Sequence, residues 1–208
     1  MGLDFNYLLY FKKDQIWDVL QALAEFSDLK GATETQVVFP DHVLSLPFVG
    51  SFASNGPIQY DDPEFDLALS LIFDEDDEIL DYMIARGDDL IDRSPPDETQ
   101  PRQWAIGFIY LTVYADLSAH WAFKKPADVV LFKFGTTGTK MSTLFYYSTS
   151  IREKFISLME KTGGLYGIFD QEVEYGELFW YQGQRMSVSV LDNYILPDDL
   201  EAYLREET

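Results

Sequence analysis

Strand-like alternation recurs along this chain, and it arrives in runs. Phe65, Leu67, Leu69, Leu71 and Phe73 are separated by Asp66, Ala68, Ser70 and Ile72, and Leu3, Phe5, Tyr7, Leu9 and Phe11 share one face of a second stretch. Successive side chains of an extended backbone point to opposite faces, so a period of two sends one face of each stretch into a core. Further strands are predicted at Gln36–Phe39, Val43–Phe48, Val129–Phe134, Leu165–Phe169, Glu177–Tyr181 and Arg185–Leu191, the last two joined as a hairpin through Gln182-Gly183-Gln184. Trp104–Ala115 carries large apolar side chains at both parities, as expected of a central strand buried on both sides.

Helical stripes interrupt these runs singly. Asp14 can cap a helix reaching about Phe26, with Ile16, Leu20, Leu23 and Ala24 on one side. Glu78–Arg86 turns Ile79, Leu80, Met83 and Ile84 inward behind an acidic first turn. Ser150-Ile-Arg-Glu153 has the spacing of a capping box, and Met141–Tyr147 reads as a shorter helix leading into it. Asp198–Arg205 is a terminal helix after Pro197. The order β-α-β-β-β-α-β-β-α-β-β-β-α predicts an α+β fold with a mainly antiparallel sheet and helices packed on one face. A doubly wound nucleotide fold would need strict alternation. A sheet of this many strands bends or splits into two linked sheet units. Residues 1–208 read as one domain, with a sub-boundary near 93–101, where Pro95-Pro96 and Pro101 mark a stretch that reads as an exposed loop.

Composition narrows the chemistry. The 208 residues carry a formal charge of −21, are 47% hydrophobic and contain no cysteine. That hydrophobic fraction is too high for a disordered chain, and without cysteine there is no disulfide scaffold, thiolate metal site or cysteine nucleophile. No apolar run approaches the roughly 18 residues of a membrane span, and the Met-Gly-Leu-Asp-Phe start has no signal-peptide character, so a cytoplasmic protein is expected. Free nucleic acid and an anionic membrane are poor partners for so acidic a surface, whereas an acidic face can attract a basic protein or, more commonly, simply keep the molecule in solution. The acids are concentrated: residues 61–98 hold 15 Asp or Glu against Arg86 and Arg93, which is −13 of the total.

Catalytic constellations are not apparent. Only His42 and His120 exist, with no His-x-x-x-His spacing for a helical zinc site. His42 falls in a turn, while His120 follows the predicted central strand beside Trp121, the better address for a working side chain. There is no Gly-x-Ser-x-Gly elbow, and Gly135–Ser142 has two residues between its glycines where a phosphate-binding loop needs four. Asp74–Glu78 resembles a calcium loop in charge only, since Ile79 stands where such a loop needs glycine. Choosing a carboxylate pair for glycoside hydrolysis among 36 acids would be arbitrary. No cofactor or metal is implied. Trp104, Tyr110, Tyr114, Trp121, Trp180 and Tyr181 could line a pocket or a partner surface, although core packing is the commoner use of such residues.

The Met1–Phe5 opening, the Gly107–Val113 strand Gly-aromatic-Ile-Tyr-Leu-Thr-Val, Met141–Phe145 and Ser150-Ile-Arg152 together resemble a group of stand-alone bacterial proteins with no assigned activity. The resemblance runs over most of the chain. It implies a bacterial, single-gene, cytoplasmic product and transfers no functional residues.

Three functional classes follow. The leading one is a non-catalytic acidic module, immunity- or inhibitor-like, that binds a basic protein through segment 61–98, with Asp74, Asp76, Asp77, Asp81, Asp88 and Asp89 as contacts. The second is a small-molecule-binding protein or enzyme with a pocket near His120, Trp121 and Arg152, although Arg152 reads more readily as a solvated residue in the first turn of its helix. The third is a structural protein that self-associates through edge strands, for instance as a homodimer.

Overall fold

A computed structural model describes residues 4–29, 35–47, 49–50, 56–86, 90–97, 99–123, 127–136, 138–171 and 175–206. Leu3 and Phe48, at the ends of two predicted strands, lie outside them. The first strand, β1 (Asn6–Lys12), leads through a 3-10 turn that contains Asp14 into α1 (Ile16–Phe26). Short strands follow: β2 (Thr35–Val38), β3 (Val43–Leu46), β4 (Val49–Gly50) and β5 (Ile58–Gln59). The middle of the chain forms β6 (Phe65–Asp74), α2 (Asp77–Arg86), β7 (Leu90–Asp92), β8 (Gln103–Tyr114) and β9 (Val129–Thr136). The last part contains α3 (Thr139–Tyr147), α4 (Thr149–Thr162), β10 (Tyr166–Asp170), β11 (Gly176–Tyr181), β12 (Gln184–Val190) and α5 (Pro197–Glu206). No described helix is long and apolar enough to cross a membrane.

The fold is α+β. A nine-stranded sheet runs β12-β11-β10-β1-β9-β8-β6-β4, with β7 also on β8 and every neighbouring pair antiparallel. A separate three-stranded sheet, β3-β2-β5, includes the parallel pair β2–β5. The strand β8 is long enough to be flanked on one side by β6 along most of its length and on the other by β7 and β9 end to end.

Each face of the large sheet has its own core. Tyr7, Leu9 and Phe11 of β1 enter one, together with the odd-numbered positions Phe65 to Phe73 of β6. Helices α1, α2, α3 and α4 cover this face through Leu20, Ile79, Phe145 and Phe155, and Val37 and Ile58 of the small sheet, with Phe39 just after β2, extend it. Leu8 and Tyr10 of β1 point the other way, into a smaller core that α5 closes with Leu200 and the segment after β8 closes with Leu117 and Phe123. The alternation in β1 therefore separates two apolar layers, and α5 adds a helix on the second face.

The phase of β8 departs from a simple period of two. Leu69 faces Ile109 but Leu71 faces Ile106, so β8 holds one extra residue around Gly107–Phe108. This β-bulge resets the parity. Trp104, Ile106, Ile109, Leu111 and Val113 all reach the helix-covered core, whereas alternation alone would assign the first two and the last three to opposite faces.

Candidate functional site

Among the described residues, two places combine charge with a cavity. The first lies where β6 ends and α2 and α4 begin. Asp74 accepts a hydrogen bond from Gln103 Nε2 at 2.8 Å, and Glu75 accepts one from the Trp104 indole at 2.7 Å. Arg102 lies 3.8 Å from Glu75, 3.1 Å from Asp92 and 5.0 Å over the Trp104 ring. The Asp92 carboxyl is drawn down to about 2, mainly by the Ser94 hydroxyl and N–H and then by Arg102.

Asp76 joins two helix starts. Its Oδ1 accepts from Ile79 N–H at 2.9 Å, capping α2, and its Oδ2 accepts from Ser150 N–H at 2.9 Å, in the first turn of α4. The hydroxyls of Ser148 (2.7 Å) and Thr149 (3.3 Å) donate to the same oxygen. Burial alone would push this carboxyl up, but hydrogen bonds from Ser150, Ile79, Ser148 and Thr149 outweigh it and hold it below its ordinary value. The N-cap of α4 is Ser148, which accepts from Ile151 N–H; Ser150 is not the cap, and Glu153 pairs with Arg185 instead of closing a capping box.

Asp77, Glu78 and Asp81 project from α2 into solvent, and none is paired with a described cation. Beside them is a cleft of about 450 Å³, lined by Asp74, Glu75, Asp76, Ser150 and Glu153, with Lys154 as its one described basic residue. Burial holds the Lys154 amine below its ordinary pKa against the opposing pull of Asp74, and the amine lies 4.9 Å over the Phe26 ring. Among the described residues no three His, Asp or Glu converge as metal ligands.

The acidic stretch is not one patch. Asp61, Asp62, Glu64 and Asp66 lie at the start of β6 and Asp74 to Asp81 at or beyond its end. Ten extended residues span about 30 Å, several Debye lengths at physiological salt. Asp88 and Asp89 lie outside the described residues.

The second place is on the other face. His120 is buried, stacked on Tyr194 at 4.4 Å and edge-on to Tyr114 at 4.7 Å. Its Nδ1 accepts from Ala122 N–H at 3.2 Å, which puts the ring proton of the neutral form on Nε2. Burial first and Lys133 second lower its pKa and favour that neutral form. Trp121 is 85% exposed, its ring 6.1 Å from Tyr194. A cavity of about 380 Å³ opens alongside, over Phe123, Tyr194, Ile195 and Leu196, with Asp192 and Asp199 in its wall.

Arg152 does not join this group. It makes a two-pronged pair with Glu177 at 2.9 and 2.7 Å and lies 5.6 Å over Phe169, in the core on the opposite side of the sheet from Phe123. The pair with Glu177, opposed by burial, raises the guanidinium pKa. A pocket shared by His120, Trp121 and Arg152 is therefore not formed, because α4 and the segment after β8 pack on different faces. Tyr194, which sequence reasoning passed over, takes the third position. It sits in an irregular segment with no periodicity to mark it. No protein-family model, no curated protein and no solved structure matches the chain, which leaves the geometry of these two places as the guide to function.

Proposed function

We propose that the protein is a non-catalytic acidic module of the cytoplasm that engages a basic partner protein through the carboxylates at the start of α2. Neutralisation of a basic toxin, as an immunity protein performs it, is one form of this activity. The observation that supports it is the trio Asp77, Glu78 and Asp81, exposed on one helix beside the acid-lined cleft and unpaired among the described residues. Carboxylates already engaged by protein donors, such as Asp76, serve the fold and are poor contacts. Exposed, uncompensated charge instead accelerates encounter with an opposite charge and selects among partners.

The test is affinity capture from the source cell at low and high salt, followed by association kinetics with the captured protein. The wild-type chain is expected to retain a basic protein at low salt. The Asp77→Asn/Glu78→Gln/Asp81→Asn variant, which leaves the Asp76 caps intact, is expected to associate about tenfold more slowly. Capture of no basic protein under either condition, or equal association rates for the two chains, would refute the reading.

A further inference from the structure

We propose that the cavity beside His120 is a binding site for a small organic cation, an ammonium or guanidinium group carried on an apolar body. Its floor is apolar and aromatic, formed by Phe123, Tyr194, Ile195 and Leu196, and its charged side chains are the carboxylates of Asp192 and Asp199. No described basic side chain lines it. Aromatic faces attract cations through their ring quadrupole, and carboxylates add net charge. A hydrated metal ion gains little from such a floor, and an anion is repelled by its wall. The volume of about 380 Å³ is in the range of small-molecule sites.

The walls are held before any ligand arrives. Tyr10 donates its hydroxyl to the Asn193 carbonyl at 3.1 Å, and Tyr166 donates to the Ile195 carbonyl at 2.7 Å, anchoring the segment on both sides of Tyr194. His120 stacks on the Tyr194 ring. Asp192 uses Oδ1 to accept Tyr194 N–H at 2.8 Å, which leaves Oδ2 to face a ligand. Trp121, 85% exposed with its ring 6.1 Å from that of Tyr194, stands outside the residues that line the cavity. Preorganised walls lower the ordering cost of binding. The site is on the opposite side of the sheet from α2, so occupancy here does not depend on capture of a basic protein there.

The probe is choline, titrated into the full-length ¹⁵N-labelled protein and followed by NMR chemical shifts, with 3,3-dimethylbutan-1-ol as its uncharged isostere. Choline is expected to bind saturably and about tenfold more tightly than the isostere. Asp192→Asn/Asp199→Asn keeps side-chain shape and the turn acceptor and is expected to weaken choline about tenfold. Tyr194→Leu, which removes an aromatic face from the floor, is expected to weaken choline about threefold. Acetyl-Gly-Arg-Gly-amide separates two sources of the same chemistry: tighter binding than choline assigns a peptide side chain, and weaker binding assigns a free metabolite. Equal affinity for choline and its isostere, the lack of saturable binding by either cation, or choline binding unchanged in both variants would overturn the proposal.

Discussion

Asp76→Ala is expected to lower the free energy of unfolding by about 3 kcal/mol, as two helix starts lose donors' partners together. A single lost N-cap typically costs about 1 kcal/mol, but this carboxylate accepts from the first turns of both α2 and α4 and from two hydroxyls. Its removal leaves Ile79 and Ser150 N–H groups without their acceptor in a partly buried corner. Asp76→Asn preserves the Oδ1 acceptor for Ile79 and turns an amide NH₂ toward three donors, so it is expected to recover less than half of the loss. Urea unfolding of the three chains measures both effects. The pH dependence has a definite sign. The folded-state pKa lies below the ordinary value, so the contribution is complete above the unfolded-state pKa, about 3.9, and is lost as pH falls through the folded value. The stability gap between wild type and Asp76→Ala is therefore expected to be constant near neutrality and to shrink below about pH 4. A gap undiminished in strong acid would show that shape, and not the charge of Asp76, holds the corner together.

Arg93→Ala is expected to cost about 3 kcal/mol, because it breaks a two-pronged ion pair with a buried carboxylate. Asp28, 5% exposed, receives both prongs of the Arg93 guanidinium at 2.8 Å, and the Arg93 backbone N–H donates to Gln103 O. The pair ties the end of α1 to the segment that follows β7. Loss of the arginine takes two charge-assisted hydrogen bonds from a carboxylate with poor access to water, and the penalty follows from that. Adding Asp28→Asn to Arg93→Ala removes the charge at almost constant shape and is expected to restore a substantial part of the loss. Thermal unfolding of the single and double variants gives this directly. A double variant no more stable than Arg93→Ala would show that packing of the arginine stem carries the effect.

Much of the fold is written in local patterns, and the exceptions have identifiable physical causes. Alternation in β6 was legible because its pleat sends the odd-numbered positions inward throughout. The same reasoning on β8 misassigned faces because the extra residue near Gly107 inverts parity, and nothing in the apolar pattern marks it. Helix α4 was legible as a helix but not in its cap. Ser148, Thr149 and Ser150 are three successive hydroxyl residues, and Asp76, distant in sequence, decides which of them does what. Strands β5 and β7 are short and owe their existence to neighbours already in place. At the sites, His120 and Trp121 were reachable by following the central strand to its end. Arg152 was assigned to the wrong side of the sheet because which side a helix covers is a tertiary property. The acids of 61–98 looked like one cluster because contiguity in sequence says nothing of the strand that separates them.

The two rims of the large sheet differ in a way that limits how copies could join. One rim is the seven-residue β12, of which only Arg185 is charged; the other, among the described residues, is the two-residue β4. Strand addition needs a template long enough to hold its guest, and β12 is such a template. Two copies joined edge to edge through β12 about a two-fold axis would occupy that rim in both.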